Sequence, residues 1–129
     1  MKILFVCIGN AIRSQMAEAF ARSYGSDQVI PASCGLHPAM TIDPKTVAVM
    51  SDIGIDVKDQ FSKPIQLMAK MEFDLIVNIS GHPLPVPFQA PVRKWDIPDP
   101  VGKSEEEFRK TRDLIQKFTL QLLDEVTNK

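Results

Sequence analysis

Continuous apolar runs alternate along the chain with segments whose apolar residues recur at helical spacing. Residues 2–6 contain the apolar run "ILFV", which is typical of a strand covered on both faces of a sheet. Residues 73–79, "FDLIVNI", form a second such run. Residues 28–33 and 90–95 are predicted as two shorter strands, and Pro31 favours an edge position for the first of them.

The segments between these strands carry apolar residues three and four positions apart, which is the spacing of one helix face. A first helix is predicted from Ser14, a second after Asp43 and the proline that follows it, and a third after Ser62. The longest helix is predicted to begin at Ser104, which forms a capping box with Glu107. The residues predicted to be buried are Ala17, Phe20, Ala21 and Tyr24, then Val47, Met50 and Ile53, then Ile65, Met68 and Ala69, and finally Phe108, Ile115, Phe118 and Leu122.

Strands that alternate with helices in this way favour an α/β fold, a three-layer sandwich with a parallel sheet between helices. A chain of 129 residues is long enough for one compact domain and too short for two ordinary ones. Residues 1–129 are therefore predicted to form a single domain. Ligands of such sheets bind beyond the carboxyl ends of the strands, so we expect Cys7, Ser80 and the loop after Trp95 to meet at one edge.

Composition narrows the possible partners and the compartment. Hydrophobic residues make up 44% of the chain and charged residues 24%, as in soluble globular proteins. A net charge of -1 predicts no attraction to nucleic acid or to an anionic membrane, and no apolar stretch approaches the ~20 residues of a membrane span. Two cysteines are too few for a disulfide framework. We therefore predict a cytoplasmic protein.

The segment "CIGNAIRS", residues 7–14, leads from the first strand into the first helix. At the N-terminus of a helix, free backbone N–H groups and the positive end of the helix dipole can bind a tetrahedral oxyanion. Gly9 and Asn10 tolerate the backbone conformations of a tight loop, and the guanidinium of Arg13 matches two oxygens of a phosphate-like group. The residues predicted to bind the oxyanion are Ile8, Gly9, Asn10, Ala11, Ile12, Arg13 and Ser14.

Cys7 lies at the centre of this predicted site. The helix dipole, the Arg13 guanidinium and the Ser14 hydroxyl all stabilise a thiolate there, and the thiolate is the nucleophilic form of cysteine. A cysteine that ends a buried strand is more often a small hydrophobic residue. The complete pattern C-x-G-N-x-x-R-S, between a buried strand and an amphipathic helix, instead favours a catalytic nucleophile.

The sequence resembles the low-molecular-weight protein tyrosine phosphatase family, which includes thiol-dependent arsenate reductases on the same fold. The matching segments, in chain order, are "LFVCIGNAIRSQMAEA", "ASCG", "GID", "SKP", "FDLIV" and "WDIPDP". The resemblance implies a phosphotyrosine protein phosphatase I-like fold, with a four-stranded parallel sheet flanked by helices. It also implies an enzyme with no metal and no organic cofactor.

The same resemblance extends the site beyond the cysteine loop. Cleavage of a phosphate ester needs an acid that protonates the departing oxygen, and "WDIPDP" offers Asp96 and Asp99. The family's Asp-Pro pair matches Asp99, which makes it the implied general acid, although aspartate beside proline is also common in turns. Asp96 is interpreted as a solvated or structural residue. Ser33 matches the serine that supports the loop asparagine, which is Asn10 here.

Two departures from the family bear on the reaction. Val101 and Gly102 stand where members that prefer phosphotyrosine carry aromatic residues, which form a wall for the substrate ring. Trp95 and His82 are the candidates to replace that wall, but each is interpreted as a structural or surface residue. Thioredoxin-linked arsenate reductases of the family keep resolving cysteines in the segment after the third strand, whereas "NISGHPLPVPFQ" contains none. Cys34 is interpreted as a buried bystander rather than as a redox partner.

The sequence therefore predicts a cysteine-dependent phosphatase that hydrolyses phosphate monoesters of the phosphotyrosine type through a thiophosphate on Cys7. The alternative is an arsenate reductase that uses the same cysteine and takes its second thiol from a small molecule or a redoxin. A non-catalytic anion-binding module is disfavoured because it would need neither a nucleophile nor an acid. The expected partners are a phosphorylated substrate or an oxyanion and, for the alternative, the thiol donor.

Overall fold

The computed structural model describes residues 1–127, which form a four-stranded parallel sheet between helices, as predicted. The strand order is 2-1-3-4, so the first and third strands are central. The strands are β1 (Lys2–Cys7), β2 (Ile30–Gly35), β3 (Leu75–Asn78) and β4 (Val92–Lys94). The helices are α1 (Arg13–Tyr24), α2 (Pro44–Ser51), α3 (Ile65–Met68) and α4 (Glu105–Thr127).

The central strand β1 carries a core on each face of the sheet, because successive side chains of a strand point to opposite sides. Phe5 and Cys7 belong to the larger core, which α1, α2 and α4 cover. Leu4 and Val6 belong to the smaller core, which α3 and the loop after β3 cover. The continuous apolar run in β1 therefore reflects burial on both sides.

The two middle helices differ from their prediction. Helix α2 ends at Ser51 and buries Thr46, Val49 and Met50, whereas Val47 is half-buried and Ile53 is exposed beyond the helix end. The carboxylate of Asp43 accepts a hydrogen bond from Lys45 N at 2.9 Å, as an N-cap should. Helix α3 is a single turn in which Ile65 and Met68 are buried and Ala69 is the C-cap.

Tyr24 was predicted on the inner face of α1 and instead lies exposed at the last helical residue. Its ring stacks on Phe20 at a centroid distance of 5.8 Å. The helix stops at Gly25, whose N–H donates to Ala21 O at 2.9 Å. A ring in the final turn has core on one side only, so Tyr24 covers Phe20 rather than entering the interior.

Helix α4 packs along α1 and closes the larger core. Ser104 Oγ accepts from Glu107 N at 3.3 Å, which is one of the two bonds of the predicted capping box. The Trp95 ring lies between Phe5 at 5.7 Å and Phe118 at 5.4 Å. Trp95 is therefore a core residue and does not form a wall for a substrate. Within residues 1–127, no helix combines the length and hydrophobicity that a bilayer span requires.

Candidate functional site

The loop between β1 and α1 is anchored by its carbonyl oxygens. The carbonyls of residues 7, 8 and 9 accept from the N–H groups of residues 36, 37 and 39 at 2.8–3.1 Å, and those of residues 10 and 11 accept from Gln15 Nε2 and Thr46 Oγ1 at 2.9 Å. The C=O and the following N–H of a trans peptide unit point in opposite directions. Outward carbonyls therefore turn a series of N–H groups toward the opening of the loop, where an anion would bind.

Two residues give this loop its backbone path. Asn10 has a φ of 49°, the left-handed region that asparagine tolerates better than most residues. Gly35, at the end of β2, lies so close to the loop that a Cβ atom there would be 2.7 Å from Ile8 O and 2.8 Å from Asn10 N. A side chain at Gly35 would therefore displace the loop backbone.

Asn10 organises the hydrogen bonds around the cysteine. Its Nδ2 donates to Ser14 Oγ at 2.7 Å and to Ser33 Oγ at 3.0 Å, and its Oδ1 accepts from Lys63 N at 3.0 Å, which fixes the amide orientation. Since Ser14 Oγ already accepts from Asn10, its own hydrogen is free to point at Cys7 Sγ, 2.8 Å away. This arrangement suits a thiolate, which accepts hydrogen bonds, and Cys7 is only 3% exposed.

Arg13 connects the cysteine loop to the neighbouring strand ends. Its NH1 donates to Ile79 O at 2.7 Å and to Ile97 O at 2.9 Å, and its NH2 lies 3.4 Å from Asp99 Oδ2. The guanidinium is almost fully buried. The carboxyl ends of β1 and β3 and the loop after Trp95 therefore meet around one cation.

The Asp99 carboxylate has two partners, a backbone N–H in its own turn and the Arg13 guanidinium at the site. Its Oδ1 accepts from Val101 N at 3.1 Å, and its other oxygen faces Arg13, with the side chain 30% exposed. Asp96 is exposed and lines a different cavity, of about 380 Å³, together with His82 and Lys94. The two aspartates of "WDIPDP" are thus separated, with Asp99 alone lining the cysteine cleft.

The cleft above Cys7 has a volume of about 330 Å³. Val101 lines this cleft and is 62% exposed. It stands where the resemblance implies an aromatic residue in members that prefer phosphotyrosine. Asn10, Ser14 and Ser33 are buried behind the loop and support it from there. The residues that line the cleft are Cys7, Ile8, Gly9, Ala11, Ile12, Arg13, Ala39, Thr41, Asp43, Pro44, Asp99 and Val101.

Sequence reasoning missed Glu18 and Lys63. Glu18 Oε1 accepts from Ser33 Oγ at 2.6 Å, and the buried carboxylate pairs with Arg22 at 2.8 Å and with Lys63 Nζ at 4.0 Å. Burial lowers the pKa of the Lys63 ammonium, and the Glu18 charge opposes that shift. The sequence does contain one indication of this role. Glu18 follows Ser14 by four residues in a predicted helix, so the two side chains lie on the same helix face.

Cys34 lies on the other side of the sheet from Cys7. It pairs in register with Val6 and packs in the smaller core with Leu4 and Ile76. Burial, and after it the negative charge of Cys7, raises the pKa of the Cys34 thiol to about 12. A sulfur that stays protonated behind the sheet matches the interpretation of Cys34 as a bystander.

The substitution Ser33→Ala tests how strongly this buried network supports the fold. It removes one of the two acceptors of Asn10 Nδ2, leaving Ser14 Oγ as the other, and it removes the donor to Glu18 Oε1. Unsatisfied buried polar groups cost about 1–3 kcal/mol, so we expect the free energy of unfolding to fall by that amount in urea titrations. Ser51→Ala, at an exposed position, is the matched control. Equal stability of the two variants would contradict the supporting role of Ser33.

Comparisons with known proteins agree with this geometry. A family model described as low molecular weight phosphotyrosine protein phosphatase matches residues 2–84. The glutaredoxin arsenate reductase of Synechocystis is 32% identical over 98% of both chains. The arsenate reductase of Brevibacillus brevis is 37% identical over 88% of this chain and 87% of its own.

Solved structures show the same similarity. An arsenate reductase in the phosphate binding state superimposes with a TM-score of 0.86 at 32% identity, covering 98% of each chain. The arsenate reductase of Archaeoglobus fulgidus superimposes with a TM-score of 0.83 at 29% identity, covering 94% of this chain and 98% of its own. The similarity therefore extends over nearly the whole chain.

Proposed function

Because this chain belongs to the low molecular weight phosphotyrosine protein phosphatase family, we propose that it reduces arsenate with electrons from an external thiol donor. The sequence alone favoured phosphate-monoester hydrolysis and held arsenate reduction as the alternative. The relatives that match most of the chain are named arsenate reductases, and they support the alternative. Both reactions begin with the same attack by Cys7 on a tetrahedral oxyanion.

The observation that carries the attack by Cys7 is its hydrogen bond with Ser14 at the base of the loop between β1 and α1, which we call the anion loop. A thiolate there faces the loop N–H groups and the Arg13 guanidinium. Arsenate bound to these donors is positioned for attack on arsenic, which forms a bond between Cys7 Sγ and arsenic and expels one oxygen as water. Asp99, beside Arg13, supplies the proton that this oxygen needs.

The second step needs two electrons. A donor thiolate attacks Cys7 Sγ, the sulfur–sulfur bond forms as the sulfur–arsenic bond breaks, and the electron pair leaves with arsenic as arsenite. A second donor thiol then attacks the mixed disulfide, which frees the Cys7 thiolate and leaves the donor as a disulfide. Among residues 1–127, Cys7 is the only cysteine that lines the cleft, so both thiols come from the donor.

Phosphate-monoester hydrolysis is the second candidate function, and the place of Asp99 in the cleft supports it. Cys7 would displace the alcohol or phenol, to which Asp99 gives a proton, and water would then hydrolyse the thiophosphate with Asp99 as the base. The exposed Val101 offers a phenyl ring little contact, and aromatic contacts add about 0.5–1.5 kcal/mol beyond area burial. We therefore expect turnover of aryl phosphates with weak preference for phosphotyrosine.

Parallel assays on the purified protein decide between the two reactions. We expect arsenite to form from arsenate in the presence of dithiothreitol, and to be absent without a thiol. Phosphate release from p-nitrophenyl phosphate is measured in the same buffer. Phosphate release without arsenite formation, either with dithiothreitol or with a reduced redoxin as the thiol donor, would reject arsenate reduction and leave the phosphatase.

Asp99→Asn tests the proton donor. The amide keeps the shape of the carboxyl group and cannot supply the proton, and general acid catalysis contributes ~10²–10⁴-fold. We expect the turnover of phenyl phosphate to fall by at least ~10²-fold, with a smaller loss for p-nitrophenyl phosphate, whose leaving group needs less protonation. Asp96→Asn, in the neighbouring cavity, is the control. An equal loss with both leaving groups would remove Asp99 from the acid role.

A further inference from the structure

Gln15 is a fully buried residue in the first turn of α1, and its side chain contacts the anion loop. Its Nε2 donates to Asn10 O at 2.9 Å and to Phe61 O at 3.0 Å, and its Oε1 accepts from Gln60 Nε2 at 2.6 Å. Carbonyl oxygens only accept hydrogen bonds, so these partners fix the orientation of the Gln15 amide. Both of its N–H groups and its oxygen are therefore engaged.

The carbonyl of Asn10 depends on this one side chain. The carbonyls of residues 7–9 accept from backbone N–H groups, and Ala11 O accepts from Asp43 N at 3.2 Å. Asn10 O, in contrast, has no backbone donor among residues 1–127, and it accepts from Gln15. Replacement of Gln15 therefore removes the donor that holds this carbonyl.

The segment around Ser62 is the other partner of the Gln15 amide, and it is bonded to the anion loop at two further points. Ser62 Oγ donates to Gly9 O at 3.0 Å, and Lys63 N donates to Asn10 Oδ1 at 3.0 Å. Gln15 lies between the loop and this segment, because its Nε2 donates to one carbonyl of each. The side chain therefore ties together two backbone segments that are distant in the sequence.

The Asn10 carbonyl bears on anion binding through its own peptide unit. Asn10 has a φ of 49°, a left-handed conformation that the surrounding contacts must hold in place. The C=O of Asn10 and the N–H of Ala11 point in opposite directions across the trans peptide, and Ala11 lines the cleft above Cys7. A fixed Asn10 carbonyl therefore directs the Ala11 N–H toward a bound oxyanion.

We propose that Gln15 is a positioning residue, which holds the Asn10 carbonyl and thereby aligns the Ala11 N–H with the oxyanion. Gln15 does not line the cleft, so it acts through the backbone of the loop. The inference rests on the proposed binding of an oxyanion at this loop. It applies equally to arsenate reduction and to phosphate-monoester hydrolysis, because both reactions begin at the same site.

The test measures the Kd for inorganic phosphate by isothermal titration, at equal concentrations of folded protein. Gln15→Met keeps the length of the side chain and removes both N–H donors. We expect the Kd to rise about tenfold, the effect of one lost hydrogen bond to the anion. The Ala11 N–H contacts the oxyanion before and during the reaction, so the KM for p-nitrophenyl phosphate should rise more than kcat falls.

A role in folding alone predicts a different result. Lower stability reduces the fraction of folded protein and with it the apparent kcat, whereas the KM and the Kd of the folded molecules stay the same. Arg112→Met is the matched control, because it removes the donor to another buried carbonyl, Val49 O, and does not alter the cleft lining. It should lower the midpoint of urea unfolding and leave the Kd for phosphate unchanged.

Gln15→Asn provides a second variant in case Gln15→Met does not fold. It keeps an amide in the interior, but the amide is one methylene shorter and does not reach both carbonyls. Its Kd for phosphate should therefore also rise.

The outcomes separate two failures. An unchanged Kd in the folded Gln15 variants, or an equal rise in Arg112→Met, overturns the positioning role. Failure of both Gln15 variants to fold assigns Gln15 to folding and overturns it as well. If the unmodified protein binds no phosphate and forms neither arsenite nor phosphate, the proposed function fails, and the role of Gln15 fails with it.

Discussion

Cys7→Ser is expected to abolish both arsenite formation and phosphate release. A serine hydroxyl does not ionise under the influence of Ser14, Arg13 and the loop N–H groups as a thiol does, so the nucleophile is lost. The anion site itself should remain, because its donors are backbone groups and Arg13. Isothermal titration with phosphate should therefore give a Kd within threefold of the unmodified protein.

Cys34→Ala is the matched control for the nucleophile. Cys34 is fully buried behind the sheet, and its replacement removes a sulfur without touching the cleft. We expect both activities to persist within about twofold of the unmodified rate, after correction for any loss of folded protein. A loss of arsenite formation alone in this variant would make Cys34 a redox partner and would contradict the bystander interpretation.

Arg13→Lys is expected to lower kcat for arsenate and for aryl phosphates by roughly 10²–10³-fold, as removal of a donor to transition-state charge typically does. Lysine retains the positive charge but cannot bond two carbonyls, a carboxylate and an oxyanion together. The carbonyls of Ile79 and Ile97 would lose the donor that they share. The variant should therefore lose both oxyanion binding and the alignment of Asp99.

The matched control for this variant is Arg112→Lys. Arg112 is another buried arginine, and its NH1 donates to Val49 O at 2.9 Å between α4 and α2. Its replacement should lower the midpoint of urea unfolding while kcat for folded protein stays near that of the unmodified enzyme. If Arg13→Lys retained more than a tenth of the original kcat, Arg13 would not be a principal stabiliser of the transition state.

The central features of the fold were predictable because they are local. The apolar run of β1 and the glycine, asparagine and arginine after it are adjacent in the sequence, so strand, loop and helix start could be located together. The inner face of α2 was assigned wrongly at Ile53, which is exposed, whereas Val47 is partly buried and packs against the larger core. Helical periodicity gives a spacing but not the end of the helix, and the early end at Ser51 places Ile53 outside it.

The parts of the site that escaped prediction depend on contacts between distant residues. A glutamate in an amphipathic helix normally faces solvent. The spacing of Glu18 from Ser14 places it on the helix face of the site, but its partners Ser33 and Lys63 are distant in the sequence and become visible only in the structure. The backbone N–H groups of residues 36, 37 and 39 hold the anion loop from outside. Every residue except proline has a backbone N–H group, so no residue type in the sequence indicates which of these groups hold the loop.

Because Gly35 contacts the anion loop, we expect substitutions at this residue to disturb the cleft, although Gly35 does not line it. The hydrogen atom that stands in for a side chain leaves just enough room for the backbone of Ile8 and Asn10. Even one added methyl group at this end of β2 would displace the backbone of Ile8 and Asn10, and with it the loop that surrounds Cys7. We therefore expect Gly35 to tolerate substitution poorly.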